Sequence, residues 1–277
     1  MRNGDQFIDQ FIEMGGVRLR VRTAGTGPPV LFVHGWALDL DMWTPQFAAL
    51  ADRYRLIAFD RRGFGLSSGK PGIENDLADI EQLLAVLAVE RLAIVGMSQG
   101  ARVALRWAMK SPATTTCLVL DGPPRDLVAV GRPHGEITLA TYRELLRSQG
   151  IEAFRRQWLK HPLMRLYGND SQSSALLEEM VGRYPGHDLM AGDVPQVVRL
   201  GDVSRLHLPV LIVNGEHDSE ARIGAGAELA RALPHAQLAV IPGSGHLSNL
   251  DNPAAYNSAL GEFLNEYASH RSTCHAE

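Results

Sequence analysis

The chain is 277 residues long, 45% apolar and 21% charged, with a net charge of −4. That length accommodates one large α/β domain or a core carrying an insertion, and the composition is ordinary for a water-soluble globular protein. The weak negative balance supplies no attraction for nucleic acid or an anionic membrane, and neither is expected as a partner.

No basic segment followed by an apolar run opens the sequence, and no apolar run approaches a membrane span. Residues 1–9 are polar with scattered apolar positions and read as a loosely attached arm. From Gln10 to Thr23, two short alternating segments flank Gly15-Gly16. Val17, Leu19 and Val21 alternate there with Arg18, Arg20 and Arg22, the pattern of a hairpin with one wet face. Gly25 to Pro29 is a turn, and Val30 to Val33 is a continuous apolar run of the kind buried on both faces of a sheet. Asp41 to Leu50 reads as helix and Leu56 to Phe59 as a second buried strand. A glycine-rich loop, Asp60 to Gly72, leads to a helix over Asn75 to Leu87. The apolar run Leu92 to Val95 meets Gly96-Met97-Ser98-Gln99-Gly100 and a helical pattern follows. Thr116 to Leu120 is the next strand, ending at Asp121-Gly122-Pro123-Pro124.

The rhythm then changes. Helical patterns dominate to Val203, at Ile137–Arg147, Ile151–Leu159, Ser174–Tyr184 and Val194–Leu200. Strands resume at Val210 to Val213, then a helix around Gly226 to Leu233, a strand at Gln237 to Ile241 and a last helix over Pro253 to Tyr267. The tail from Ser269 reads as loose. Alternating strands and helices predict a mostly parallel, doubly wound sheet of about eight strands, formed by residues 1–124 and 204–277. Residues 125–203 are expected to be a helical cap over the carboxyl ends of the strands, where such sheets bind ligands.

A buried strand that runs through a glycine-flanked serine into a helix is the context of a nucleophile elbow. The turn is so sharp that small residues are needed two positions before and after the serine, and Gly96 and Gly100 supply them. The amide after Ser98 then sits at a helix N-terminus, where negative charge is favoured. A second match, Gly65-Leu66-Ser67-Ser68-Gly69, is followed by Lys70-Pro71-Gly72, which cannot begin a helix, so Ser67 reads as loop.

An unactivated hydroxyl is a poor nucleophile and needs a base and an orienting acid, each on a loop after a later strand. Among ten histidines, His246 follows the last strand in Pro242-Gly243-Ser244-Gly245-His246. Asp218 lies three residues past the strand end Val213-Asn214-Gly215, with Glu216 and Asp121 as rivals for the acid. His246 would take the Ser98 proton and return it to the leaving group, while Asp218 would fix the tautomer.

Here the chain resembles the α/β-hydrolase family over nearly its whole length. The motifs are Val33-His34-Gly35-Trp36, Asp60-Arg61-Arg62-Gly63-Phe64-Gly65-Leu66-Ser67, Gly96 to Gly100, Gly215-Glu216-His217-Asp218 and Gly245-His246. Five motifs in order are far more specific than one. Within the family the chain is most similar to small-ester and enol-lactone hydrolases and to cofactor-free haloperoxidases. The resemblance implies an oxyanion hole built from the backbone N–H groups of Trp36 and Gln99, a cap that carries much of the specificity, and some members with the acid at the position of Asp121. His34 reads as shaping the oxyanion loop rather than transferring protons, and Asp60 to Gly65 reads as a structural loop.

The expected activity is therefore hydrolysis of a small carboxylic ester or lactone through an acyl-enzyme, without cofactor or metal. Alternatives on the same triad are carbon–carbon bond hydrolysis, perhydrolysis or haloperoxidation, and cyanohydrin cleavage. A receptor that keeps the pocket without turnover is a rival of another class. Dehalogenase and epoxide-hydrolase chemistry is disfavoured, because those relatives carry aspartate where this chain has Ser98. Candidate pocket residues are His34, Met97, Tyr142, Phe154, Trp158 and Leu247, with the Trp36 side chain also in reach. Arg125, Arg132, Arg143, Arg147, Arg155, Arg156, Arg165 and Arg183 read first as solvated helix faces, and secondarily as carboxylate clamps. Cys117, in an expected strand, and Cys274, in the polar tail, indicate free thiols in a reducing, cytoplasmic setting. The assembly is expected to be a monomer or homodimer.

Overall fold

The computed structural model describes residues 7–123, 139–191 and 200–268. Eight strands form one sheet: β1 (Ile8–Met14), β2 (Val17–Ala24), β3 (Pro29–Val33), β4 (Arg55–Phe59), β5 (Leu92–Met97), β6 (Thr115–Asp121), β7 (Val210–Gly215) and β8 (Ala236–Ile241). Their order is β1-β2-β4-β3-β5-β6-β7-β8. The β1/β2 and β2/β4 pairs are antiparallel and the rest are parallel. The central strands are apolar throughout because helices cover both faces. Leu31, Val33, Ile94, Leu118 and Ile212 pack with α2 (Ile73–Val86), α3 (Gln99–Lys110) and α8 (Glu220–Ala232). Val30, Phe32, Val95, Val119 and Leu211 face α1 (Thr44–Leu50) and α10 (Pro253–Tyr267) on the other side. Strict alternation along each strand sends neighbouring residues into two separate cores.

Between β6 and β7 the chain forms α4 (Leu139–Leu159), α5 (Ser171–Arg183), α6 (His187–Ala191) and α7 (Leu200–Val203). The two helices predicted from Ile137 to Leu159 are one element broken at Gly150, whose φ of 79° is non-helical. Ile137 itself, most of the helix expected over Val194–Leu200, the tail from Ser269 and Cys274 lie outside the described residues. Asp170 caps α5 by accepting from the Gln172 and Ser173 amides, which starts that helix three residues before the predicted Ser174. After β8 come α9 (Ser248–Asp251), which periodicity did not predict, and α10, whose limits match. Among the described residues no helix is long and apolar enough to cross a membrane.

Two expectations at the N-terminal side are corrected. The arm ends sooner than residue 9: β1 starts at Ile8, Phe7 packs on Phe47, and Asp9 bonds Arg20 and Arg22. The wet arginine face on β2 fails at Arg20, which is buried. Its guanidinium lies 2.9 Å from Asp41 and 2.6 Å from Asp9, because β2 is an inner strand and these carboxylates supply the charge that burial requires.

Arg183 of α5 extends this cluster. Its guanidinium donates to fully buried Asp39 at 2.8 Å and to Asp41 at 2.5 Å, tying the inserted helices to the turn before α1. Removing one partner of a buried pair leaves the other charge uncompensated. Arg183→Ala is expected to lower unfolding stability by about 3 kcal/mol, measured as a shift in the urea midpoint. An unchanged midpoint would mean that water substitutes for the guanidinium.

Candidate active site

β5 enters a turn at Ser98, where φ is 53° and ψ −112°, before α3 begins at Gln99. A non-glycine residue there is strained, and such strain persists only when the surroundings enforce it. They do so through close packing. A Cβ on Gly96 would lie 2.3 Å from the Gly100 carbonyl oxygen, and one on Gly100 would lie 2.1 Å from that of Val33. The Ser98 amide also donates to the Asp121 carbonyl at 2.7 Å. The glycines thus let α3 start immediately behind β5, and the Ser98 hydroxyl is carried to the carboxyl edge of the sheet.

His246 lies in the loop after β8 and is buried. That loop is held by Asp251, which accepts from the amides of Gly245 at 2.7 Å and Tyr167 at 2.6 Å. His246 Nδ1 is 3.0 Å from Asp218 Oδ2, and Asp218 Oδ1 accepts from the Ser219 amide at 2.8 Å. A carboxylate on Nδ1 makes that nitrogen the donor and leaves Nε2 as the acceptor. Both His246 and Ser98 line one cavity. Ser98 and His246 thus share one cavity, and Asp218 reaches it through the His246 imidazole.

The rival acids are engaged elsewhere. Glu216 is exposed and accepts from the Gly243 amide at 2.8 Å. Asp121 accepts from Ser248 Oγ at 3.2 Å. The two aspartates differ in ionisation as well. Burial alone would raise Asp218, but the His246 ring and the Arg222 guanidinium outweigh it and hold the carboxyl below its ordinary range. Asp121 is pushed well above that range, chiefly by burial and with Asp218 adding to it, against the Ser248 hydrogen bond. Neighbouring carboxyls driven apart in this way mark which one is the anion.

The cavity is narrow, about 10 Å³, and is lined by Trp36, Leu38, Met97, Ser98, Trp158, Leu163, Met164 and His246. Of the predicted pocket residues, Met97, Trp158 and the Trp36 side chain line it. Tyr142 and Phe154 do not; they pack edge-on against Trp36 with ring centroids 6.1 and 5.7 Å away. Leu247, the residue after His246, is fully buried and is not among the lining residues. His34 is also buried; its Nε2 accepts from the Arg61 amide at 3.0 Å and its Nδ1 faces the Gly35 carbonyl at 2.8 Å. Burial and the neighbouring Arg61 charge hold His34 neutral, well below the usual histidine range. Leu38, Leu163 and Met164 carry no signal in the sequence beyond being apolar.

Trp36 joins the inserted helices to the sheet edge. Trp158 packs on it at 4.7 Å and Tyr184 at 5.9 Å, while its indole N–H donates to Asp188 of α6 at 2.5 Å. Edge-on aromatic contacts of this kind contribute about 0.5–1.5 kcal/mol each beyond area burial. Gln99 is the first residue of α3, so its amide has no partner within the helix, and its side chain is held by Arg61. Backbone donors at such a helix start can stabilise an oxyanion.

The predicted loop residues behave structurally. Asp60 accepts from the Leu40 and Leu66 amides, both at 2.8 Å, and Ser67 Oγ accepts from the Arg20 amide at 2.9 Å. Arg143 donates to the Leu189 carbonyl, and Arg155 donates to the Tyr184 carbonyl and to the Glu152 carboxylate. Arg125 and Arg132 lie outside the described residues. Cys117 is buried with a free thiol. Among the described residues no group of three or more metal-ligating side chains is present.

A family model described as alpha/beta hydrolase fold matches residues 28–253. The chain is 30% identical to a 2-(acetamidomethylene)succinate hydrolase of Mesorhizobium japonicum, over 94% of this chain and 96% of that protein. A malate-bound thermophilic esterase from Thermogutta terrifontis superposes with a TM-score of 0.80 at 26% identity, over 94% of this chain and 98% of that one. The enol-lactonase of Burkholderia xenovorans LB400 shares the fold, with a TM-score of 0.78 at 22% identity over 92% of this chain and 100% of that one.

Proposed function

The chain belongs to the α/β-hydrolase family, and from that premise we propose that it is a serine hydrolase of small carboxylic esters or lactones, working through an acyl-enzyme. The observation that carries this reading is the 3.0 Å His246–Asp218 contact beside a cavity that also exposes Ser98. Ser98 attacks the substrate carbonyl as its proton passes to His246 Nε2. The carbonyl oxygen takes the electron pair and is held by the amides of Trp36 and Gln99. Collapse expels the alcohol, which leaves with the proton from His246. Water then repeats the sequence and releases the acid. Asp218, held as the anion, orients the imidazole and balances its charge in both halves.

Substrate size follows from the walls. The cavity is narrow and its lining beyond Ser98 and His246 is apolar and thioether, which favours a short apolar acyl group, admitted by small shifts of the walls, over a long chain. In this reading α4 to α6 act as the cap, with Trp158, Leu163 and Met164 closing the acyl side. A series of nitrophenyl esters tests both parts. Turnover is expected to be highest for acetate to butyrate and to fall by about tenfold or more at octanoate, since each excluded methylene forfeits about 0.8 kcal/mol of burial. Leu163→Ala is expected to move the optimum to longer chains. A wild-type profile that favours octanoate would refute the assigned acyl pocket.

A further inference from the structure

Taking Ser98 as the nucleophile, as proposed above, we infer that Arg222 is a further catalytic group, one that donates to the Ser98 oxygen and stabilises it whenever it carries negative charge. Arg222 stands in the first turn of α8, four residues after Asp218, and is only 4% exposed. Its side chain crosses to the end of β6, where Nη1 donates to the Gly122 carbonyl at 2.8 Å and lies 3.4 Å from Ser98 Oγ. An arginine is seldom buried this deeply without compensating charge. The compensation comes from Asp218, whose carboxyl it helps keep ionised. Burying a full positive charge beside the hydroxyl gains most where that oxygen becomes anionic.

The same cation serves both halves of the reaction. In acylation the Oγ–H proton goes to His246 as the Oγ–carbon bond forms, and donation from Nη1 favours the oxygen as it loses its proton. In deacylation water attacks the acyl carbon and gives its proton to His246. The carbon–Oγ bond breaks, Ser98 Oγ keeps the electron pair, and the proton returns to it from His246. Arg222 faces the leaving oxygen during that break. Gly122 makes the geometry possible: its φ is 51°, and a Cβ there would lie 2.7 Å from the His246 ring, so glycine is what lets the end of β6 approach the imidazole this closely. Nothing in the local pattern of Ser219-Glu220-Ala221-Arg222 sets this residue apart from a helix-surface arginine.

Arg222→Gln and Arg222→Met remove the charge in two ways, so that one can stand in if the other fails to fold; Arg222→Lys keeps it. With nitrophenyl butyrate, the neutral variants are expected to lose about 10- to 100-fold in kcat, the range of a charge-assisted hydrogen bond, with KM within about threefold. Arg222→Lys is expected to recover at least about fivefold of that loss, because a point charge replaces the fork incompletely. A neutral variant within twofold of wild-type kcat, or a lysine variant no better than the neutral ones, overturns the assignment. Ser98→Ala runs beside them. Undiminished turnover there sinks the serine-hydrolase reading itself, whereas an inactive Ser98→Ala beside fully active Arg222 variants sinks only the role of Arg222.

Discussion

Ser98→Ala is expected to reduce kcat on a short nitrophenyl ester by at least about 10⁴-fold while leaving the thermal midpoint nearly unchanged. The Ser98 hydroxyl is the group proposed to carry the acyl intermediate, and its loss removes that covalent route rather than weakening it. The residual rate would come from binding and from whatever the Trp36 and Gln99 amides contribute. Because Ser98, His246 and Asp218 act as a unit in this mechanism, His246→Ala added to Ser98→Ala should cost almost nothing further. Additive losses would show that the two side chains work independently. In the wild type, a rapid quench during turnover should find the acyl mass on the peptide that contains Ser98. A wild-type protein with no turnover, but with marked stabilisation by a bound ligand, would instead support a receptor that has kept the pocket.

Gly100→Ala is expected to destabilise the fold by about 3–5 kcal/mol and to abolish activity together with it, as read by urea denaturation and ester turnover. The added methyl would lie 2.1 Å from the Val33 carbonyl oxygen and 2.6 Å from that of His34, and both neighbours are backbone. No rotamer change relieves such a contact. Either α3 moves off β3 or the loop after β3 moves, and each displaces one of the two amides proposed to hold the oxyanion. Gly182→Ala is the control. It lies in α5 with nothing within 4 Å of its added Cβ, so there the same change should be neutral or stabilise by up to about 1 kcal/mol. Equal effects at the two positions would remove close packing as the reason for Gly100.

The elbow was readable because its geometry restricts residue type at fixed spacing. Only glycines fit where β5, α3 and the end of β3 converge, and two glycines around a serine between an apolar run and a helical run leave little else to build. The order of the strands was readable for a related reason: strands buried on both faces must be apolar without interruption, as Val30 to Val33 and Leu92 to Val95 are. Those same patterns located Asp218 and His246 as residues just past strand ends. Periodicity gave less in the segment between β6 and β7, where Gly150 divides one helix and Asp170 starts another by a side-chain cap.

The doubly wound sheet, its family and the residues that stand at the carboxyl ends of the strands are thus legible in the chain alone. Those follow from local periodicity and from backbone positions that admit few residue types. Which carboxylate faces the imidazole was decided only by tertiary structure, since Asp121 turns to Ser248 while Asp218 turns to His246. The burial of Arg20, the aromatic packing around Trp36 and the reach of Arg222 to Ser98 were decided there too. Long charged and aromatic side chains take their partners from segments far away in the chain, and no period of 2 or 3.6 residues records those partners.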